Sequence, residues 1–213
     1  MCSDIQVKIQ DAVWIKRMAY KWFLSVGYRT ADHILNKEPL PAGLKLLNML
    51  GYVFLFRSLK NYLGLARLRH VYTGGAPLGQ EIFNMFMALN VNIRQVYGMT
   101  EQTAGSILHR TGDIRLDTVG KPIPGVEFKI SDSGELLSRG DTIFKGYYKN
   151  PEASAEALRD GWFHSGDAAI IEEDGHIIII DRMSDVMKLV DGGKFSPQLI
   201  ENKLRFSPYI VDA

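Results

Sequence analysis

The segment from 70 to 96 constrains the fold more than any other part of the chain. His70-Val71-Tyr72-Thr73 is a short β-branched and aromatic run that ends in Gly74-Gly75-Ala76-Pro77, and the stretch 78–89 then sets Ile82, Phe83, Phe86 and Leu89 at helical spacing. Residues 91–96 follow as a buried strand. Strand, glycine turn, helix and strand in that order form a βαβ unit, so the sequence predicts an α/β fold with a parallel or mixed sheet. Residues 125–182 read differently. Strand segments at 126–130, 134–138, 168–172 and 176–180 are joined through Asp132-Ser133-Gly134 and Glu173-Asp174-Gly175, which are hairpin turns and predict a β-rich subdomain. Between the two hairpins Asn150-Pro151 opens a short helix over 152–158, which Asp160-Gly161 closes. Near the end Ser196 is an N-cap with Pro197 behind it, and Ile200 and Leu204 supply an apolar stripe.

Charge divides the chain at the same place as periodicity. Residues 1–72 hold 11 Lys/Arg against 4 Asp/Glu, net +7, whereas residues 73–213 hold 14 against 20, net −6. The formal total is +1, which excludes a globally basic nucleic-acid binder. The basic part carries Trp14, Ile15, Met18, Trp22, Phe23 and Val26 among Lys16, Arg17, Lys21 and Arg29, all in a helical pattern. That combination fits either a face packed against further protein or a helix lying on a membrane surface. The run 46–56 is too short to span a bilayer, and residues 1–10 have no apolar core of the kind a secretory signal needs. One cysteine, Cys2, excludes an internal disulfide and any multi-cysteine metal site.

Generic catalytic motifs are absent. There is no G-x-S-x-G, H-E-x-x-H or G-x-G-x-x-G, and Gly192-Gly193-Lys194 falls short of a phosphate loop because Lys188 stands where that loop needs glycine. The histidines at 33, 70, 109, 164 and 176 show no ligand spacing. More informative is Gln95-Val96-Tyr97-Gly98-Met99-Thr100-Glu101, where a buried strand ends at the position at which open α/β sheets bind ligands. An aromatic can stack on a base, glycine admits close backbone approach, threonine can donate to a phosphate oxygen, and glutamate is a hard ligand for Mg²⁺. By themselves these residues fit equally a polar loop that follows a strand.

Several motifs in order decide between the two. Thr73-Gly74-Gly75-Ala76-Pro77-Leu78, Tyr97-Gly98-Met99-Thr100-Glu101, Gly120-Lys121-Pro122, Gly146-Tyr147-Tyr148-Lys149-Asn150-Pro151, Gly161-Trp162-Phe163-His164-Ser165-Gly166-Asp167 and Asp181-Arg182-Met183-Ser184-Asp185 together resemble the adenylate-forming (AMP-binding) superfamily. Within it the chain looks most like the long-chain fatty acyl-CoA synthetases. The resemblance is strong from Thr73 to Glu201 and lies only in general character before that.

The resemblance implies a two-step ligase reaction using ATP, Mg²⁺ and coenzyme A: a fatty acid attacks the α-phosphate of ATP to give acyl-AMP, and the coenzyme A thiol then displaces AMP. It also assigns residues. Gly74, Gly75, Ala76 and Pro77 would line the adenine and acyl pocket; Tyr97 would stack on the adenine beside Gln95, Gly98 and Met99; Thr100 would hold an α-phosphate oxygen. Glu101 would bind Mg²⁺, Asp167 both ribose hydroxyls, and Arg182 the ribose or a phosphate. Ser184 falls at the family's hinge and Lys188 beyond it. Each has a structural alternative: turn or capping carboxylates for Glu101 and Asp167, a surface ion pair for Arg182, a plain turn for Gly74-Gly75, core packing for Tyr97.

Departures from the family pattern matter too. Nothing in residues 1–72 resembles the Ser/Thr/Gly-rich phosphate loop, the small domain stops before its catalytic lysine, and Ser184 replaces a charged hinge residue. The expectation is therefore an internal fragment of a cytoplasmic enzyme: residues 1–72 a basic helical part of the large domain, 73–124 the α/β unit carrying the site, 125–182 the β-rich subdomain, 183–213 the hinge and truncated small domain. Such a fragment is expected to be inactive alone, to expose apolar surface through which two copies could pair, and to touch at most the inner face of a membrane. Two alternatives stand beside it: a non-catalytic nucleotide-binding or interaction module, and a ligase that passes acyl-AMP to a carrier protein.

Overall fold

The computed structural model describes residues 9, 11–75, 78–188, 194, 195 and 197. The helix expected after Ser196, and with it Ile200 and Leu204, lies outside these residues, as do Ala76 and Pro77. Among the described residues the chain forms two compact units, one holding the residues up to Thr73 with Leu78–Arg94 and Thr111–Leu116, the other holding Gly74–Gly75, Gln95–Arg110 and the residues from Asp117 onward.

The first unit is mainly helical. Helix α1 (Trp14–Leu35) buries Tyr20, Val26, Gly27, Thr30 and Ala31 at spacings of one or two helical turns. Helix α2 (Ala42–Gly51) runs through a π turn at Tyr52–Phe56 into α3 (Arg57–Tyr62). Strand β1 (Val71–Thr73), helix α4 (Gln80–Ala88) and the start of β2 (Ile93–Tyr97) complete it, in the predicted βαβ order. Phe56, Phe83, Leu89 and Ala31 are fully enclosed and form the centre of its core. Gly27 is required there because a Cβ would stand 2.2 Å from the carbonyl oxygen of Ala88, so α1 and α4 can approach this closely only without a side chain.

The second unit is built of antiparallel ladders. The end of β2 pairs with β3 (Ile107–Leu108) in the register Val96↔Leu108, and β3 pairs with β4 (Lys121–Pro122). A five-stranded sheet follows, ordered β5 (Val126–Ile130), β6 (Glu135–Gly140), β8 (Trp162–Ile171), β7 (Leu158–Arg159), with β9 (Ile177–Arg182) also on β8. Both hairpin turns lie where glycine was expected to permit them: Gly134 has φ +92° and Gly175 φ +83°. Helix α5 (Pro151–Ala157) is capped by the Asn150 side chain, which accepts from the N–H of Ala153, with Pro151 in the first turn. Ile107, Leu136, Ala169 and Ile177 form the core under this sheet, and Tyr97, Phe128 and Ile130 pack against it. The final described pair is β10 (Met187–Lys188) with β11 (Lys194–Phe195).

Candidate functional site

The second unit brings Tyr97, Asp167 and Arg182 together, although 70 residues of chain separate the first two. Tyr97 closes β2, and its phenol donates to Oδ2 of Asp167 at 2.5 Å. Asp167 sits on β8 directly opposite Arg182 on β9, whose Nη1 lies 3.0 Å from Oδ1 of Asp167 and also donates to the carbonyl oxygen of Ser165. The local backbone explains the placement. Gly166 adopts φ +72°, a left-handed conformation open to glycine, and the β6/β8 register shifts between Glu135 and Leu137, so β8 bulges over residues 165–167, where Asp167 stands.

That bulge is held by β6. Ser165 donates through Oγ to the carbonyl oxygen of Leu136 and accepts the N–H of Asp167. Glu135 accepts the N–H of Gly166 on one carboxylate oxygen and contacts His164 Nδ1 with the other. Burial dominates the electrostatics. The Asp167 side chain is 8% exposed, and this lifts its carboxyl above the usual range, against the opposing pull of the Tyr97 hydrogen bond and the Arg182 charge. Burial likewise pushes the Tyr97 phenol far up, with the Asp167 charge adding to it, so Tyr97 is a permanent donor. Each Asp167 oxygen has one protein donor and a second lone pair, and the carboxylate can therefore accept two more hydroxyls side by side.

The turn after β2 supplies the second half of the site. Met99 is extended, Thr100–Gln102 form one turn of 3₁₀ helix, and Thr103 and Ala104 are left-handed, which reverses the chain into β3. Gly98 has no alternative in this turn, because a Cβ would meet the carbonyl oxygen of Ala104 at 2.1 Å. Gln102 is fully buried; its Nε2 donates to Ser138 Oγ and its Oε1 accepts from Ser106 Oγ at 2.6 Å. With Gln102 pinned inward, Thr100 is left exposed and Glu101 partly exposed at the tip. The Glu101 carbonyl accepts the N–H of Phe144, and its Oε1 accepts the phenol of Tyr147 at 2.8 Å.

The remaining candidates are more scattered. Gly74 fits against Val96, whose carbonyl oxygen would lie 2.7 Å from a Cβ there, and Gly75 turns at φ +84° in open space. Gln95 is buried, with its backbone N–H donating to Nδ1 of His109. The Tyr97 ring packs on the core of the second unit while its hydroxyl reaches Asp167, so the packing alternative is met in the same side chain. Ser184 lies in an exposed turn and donates to Oδ1 of Asp185. Lys188 ends β10, paired with Lys194. Among the described residues no group of three or more His, Cys, Asp and Glu side chains gathers to hold a metal ion. A cation at Glu101 would thus be held by one carboxylate with water and substrate oxygens, an arrangement that suits Mg²⁺.

Four contributors escaped the sequence reading. Tyr147 and Ser165 stand inside the motifs quoted above without an assigned role, and the patterns around them signal only a turn and a strand. Glu135 and Gln102 carry no local signal at all, since each acts on a segment distant in sequence or turned inward by the fold.

Comparison with known proteins converges on one class. Residues 26–148 match the profile of the AMP-binding enzymes. The long-chain-fatty-acid–CoA ligase FadD15 of Mycobacterium bovis is 37% identical over 158 residues, covering 74% of this chain and 26% of that protein. Luciferin 4-monooxygenase of Photuris pensylvanica is 38% identical over 164 residues, covering 70% of this chain and 30% of that protein. Among solved structures, the anthranilate CoA ligase AuaEII in complex with anthranoyl-AMP superposes with a TM-score of 0.63 at 28% identity, over 76% of this chain and 34% of that one. The chain belongs to the AMP-binding enzyme family, and its fold is part of the adenylate-forming fold. It spans about a quarter to a third of the length of these relatives.

Proposed function

We propose that this chain carries the ribose-facing and cation-facing parts of a fatty-acid-adenylating site within a longer acyl-CoA ligase. The observation that carries the reading is the Tyr97–Asp167–Arg182 cluster, a buried carboxylate oriented by two donors and still able to accept a pair of adjacent hydroxyls. Identity to a long-chain-fatty-acid–CoA ligase supports the substrate class. In the reaction a fatty-acid oxygen bonds to the α-phosphorus of ATP as the bond to pyrophosphate breaks; the coenzyme A sulfur then bonds to the acyl carbon and AMP departs.

Asp167 holds the ribose and so fixes the α-phosphate along the line of attack. Arg182, with the Tyr97 hydrogen bond, favours the ionised form of Asp167 against the burial that opposes it, and offers its remaining N–H groups to a ribose or phosphate oxygen. Thr100 donates to the α-phosphate, Glu101 presents its carboxylate for Mg²⁺, and Gly74 and Gly75 let the substrate approach the backbone. Bound Mg²⁺ supplies neutralisation of phosphate charge as it develops. The hinge role of Ser184 and the placement of Lys188 beyond it are part of the same proposal.

Fatty-acid-dependent ATP/pyrophosphate exchange tests the reading, measured on this chain and on a longer protein carrying flanking sequence. Exchange by the longer protein, with acyl-CoA formed when coenzyme A is added, supports it. Exchange with transfer only to a carrier protein would move the assignment to an acyl-AMP ligase, and no exchange with any acid would leave a nucleotide-binding or interaction module.

A further inference from the structure

We propose that Tyr147 is a positioning residue for Glu101, holding its carboxylate in the orientation that receives a divalent cation. The inference rests on the reading of Glu101 as the cation ligand and extends it to a side chain from a different loop. The phenol of Tyr147 donates to Oε1 of Glu101 at 2.8 Å across 46 residues of sequence. Oε2 of Glu101 takes no hydrogen bond from the described residues, and a carboxylate with one oxygen fixed and the other open is oriented without being blocked.

The loop that carries Tyr147 is built against the Glu101 turn. The N–H of Phe144 donates to the Glu101 carbonyl at 2.8 Å, and Thr103 Oγ1 donates to the carbonyl of Thr142 at 2.7 Å. The N–H of Tyr147 donates to Oγ of Ser154, which donates in turn to the carbonyl of Asn150. Gly146, at φ +143°, lets the loop pass Ser154, whose Oγ would otherwise stand 2.9 Å from a Cβ. The Tyr147 ring meets Phe144 edge-on at 4.8 Å, and Phe144 meets Phe163 at 5.7 Å. Four hydrogen bonds and two ring contacts thus aim one hydroxyl at one carboxylate oxygen.

Tyr147→Phe isolates the hydroxyl, since the ring and its contacts with Phe144 remain. Mn²⁺ binding to the purified chain in saturating ATP, whose phosphate oxygens share the cation with Glu101, is followed by water-proton relaxation and compared for wild type, Tyr147→Phe, Glu101→Gln and Tyr148→Phe, the last altering a neighbouring ring that is 88% exposed. Glu101→Gln should abolish the site, Tyr147→Phe should weaken Mn²⁺ binding about fivefold, the worth of one hydrogen bond, and Tyr148→Phe should leave it unchanged. All four proteins should melt together, which a purely structural role for the Tyr147 hydroxyl would not produce. Wild-type affinity in Tyr147→Phe alongside loss in Glu101→Gln overturns the role of Tyr147 and leaves Glu101 standing. No Mn²⁺ binding by wild type, or equal binding by Glu101→Gln, overturns the reading of Glu101 itself and the positioning role with it.

Discussion

The Tyr97–Asp167–Arg182 cluster and the Glu101–Tyr147 pair both depend on the end of β2, yet they are built in opposite ways. In the first, a carboxylate is buried at 8% exposure between strands, and its donors repay part of the cost of burying charge. In the second, the carboxylate sits at the tip of a turn in contact with water, where its partner orients it but relieves little desolvation. Substitution in the first should therefore affect folding and function together. In the second it should affect function with little effect on folding.

The hardest test of that contrast is Gly98→Ala, because both regions depend on the turn it begins. The added methyl would stand 2.1 Å from the Ala104 carbonyl oxygen, and the turn must move, at a cost of about 3 kcal/mol; urea unfolding measures it. Tyr97→Phe comes next. It removes a donor from a buried carboxylate and should cost about 2 kcal/mol, read as a fall in melting temperature of about 4–8 °C.

Arg182→Met sharpens the comparison through pH. The Asp167 carboxyl ionises above its usual value in the folded protein, so the folded state binds its proton more tightly than the unfolded chain does. Its contribution to stability is fully present below the ordinary carboxyl value of 3.8 and is lost as pH rises through the folded value. Arg182 opposes the upward shift. Its removal should steepen the loss of stability above pH 3.8 and extend it to higher pH, which urea titrations at a series of pH values would record. A profile identical to wild type would mean that Arg182, 56% exposed, contributes no field at Asp167.

Glu101→Gln should change stability by less than about 0.5 kcal/mol, as surface substitutions do. In a longer, active protein it should still lower adenylation by about 10²–10³-fold. A large loss of stability from Glu101→Gln would erase the difference between the two regions. The smallest effect concerns the first unit, where Trp14, Ile15, Met18 and Trp22 are each more than half exposed beside Lys16, Arg17 and Lys21. No described helix is long and apolar enough to cross a membrane. Flotation with anionic liposomes at low salt should show weak binding that salt removes, if this face meets a lipid surface; no binding assigns it to protein contact.

Much of the fold was legible because local rules and the final structure agree. The helix over 80–88, both hairpins and the Asn150 cap follow from periodicity, turn glycines and one capping side chain, none of which needs distant contacts. Tyr97 and Glu101 were legible as chemistry-bearing residues where a buried strand ends, and Asp167 and Arg182 through the resemblance of the motifs that hold them. Their partners were not. Glu135 holds the Gly166 bulge from a strand about thirty residues earlier, and Gln102, next to Glu101, points into the protein instead of out.

By itself the sequence determined the element types, the turns and the residues able to do chemistry, since these depend on backbone preference and side-chain chemistry within a few positions. Only the tertiary structure decided that Asp167 faces Tyr97 and Arg182, and that Tyr147 reaches Glu101. Those pairings depend on strand register and loop packing, and register is set by burial summed over whole strands; no short motif encodes it.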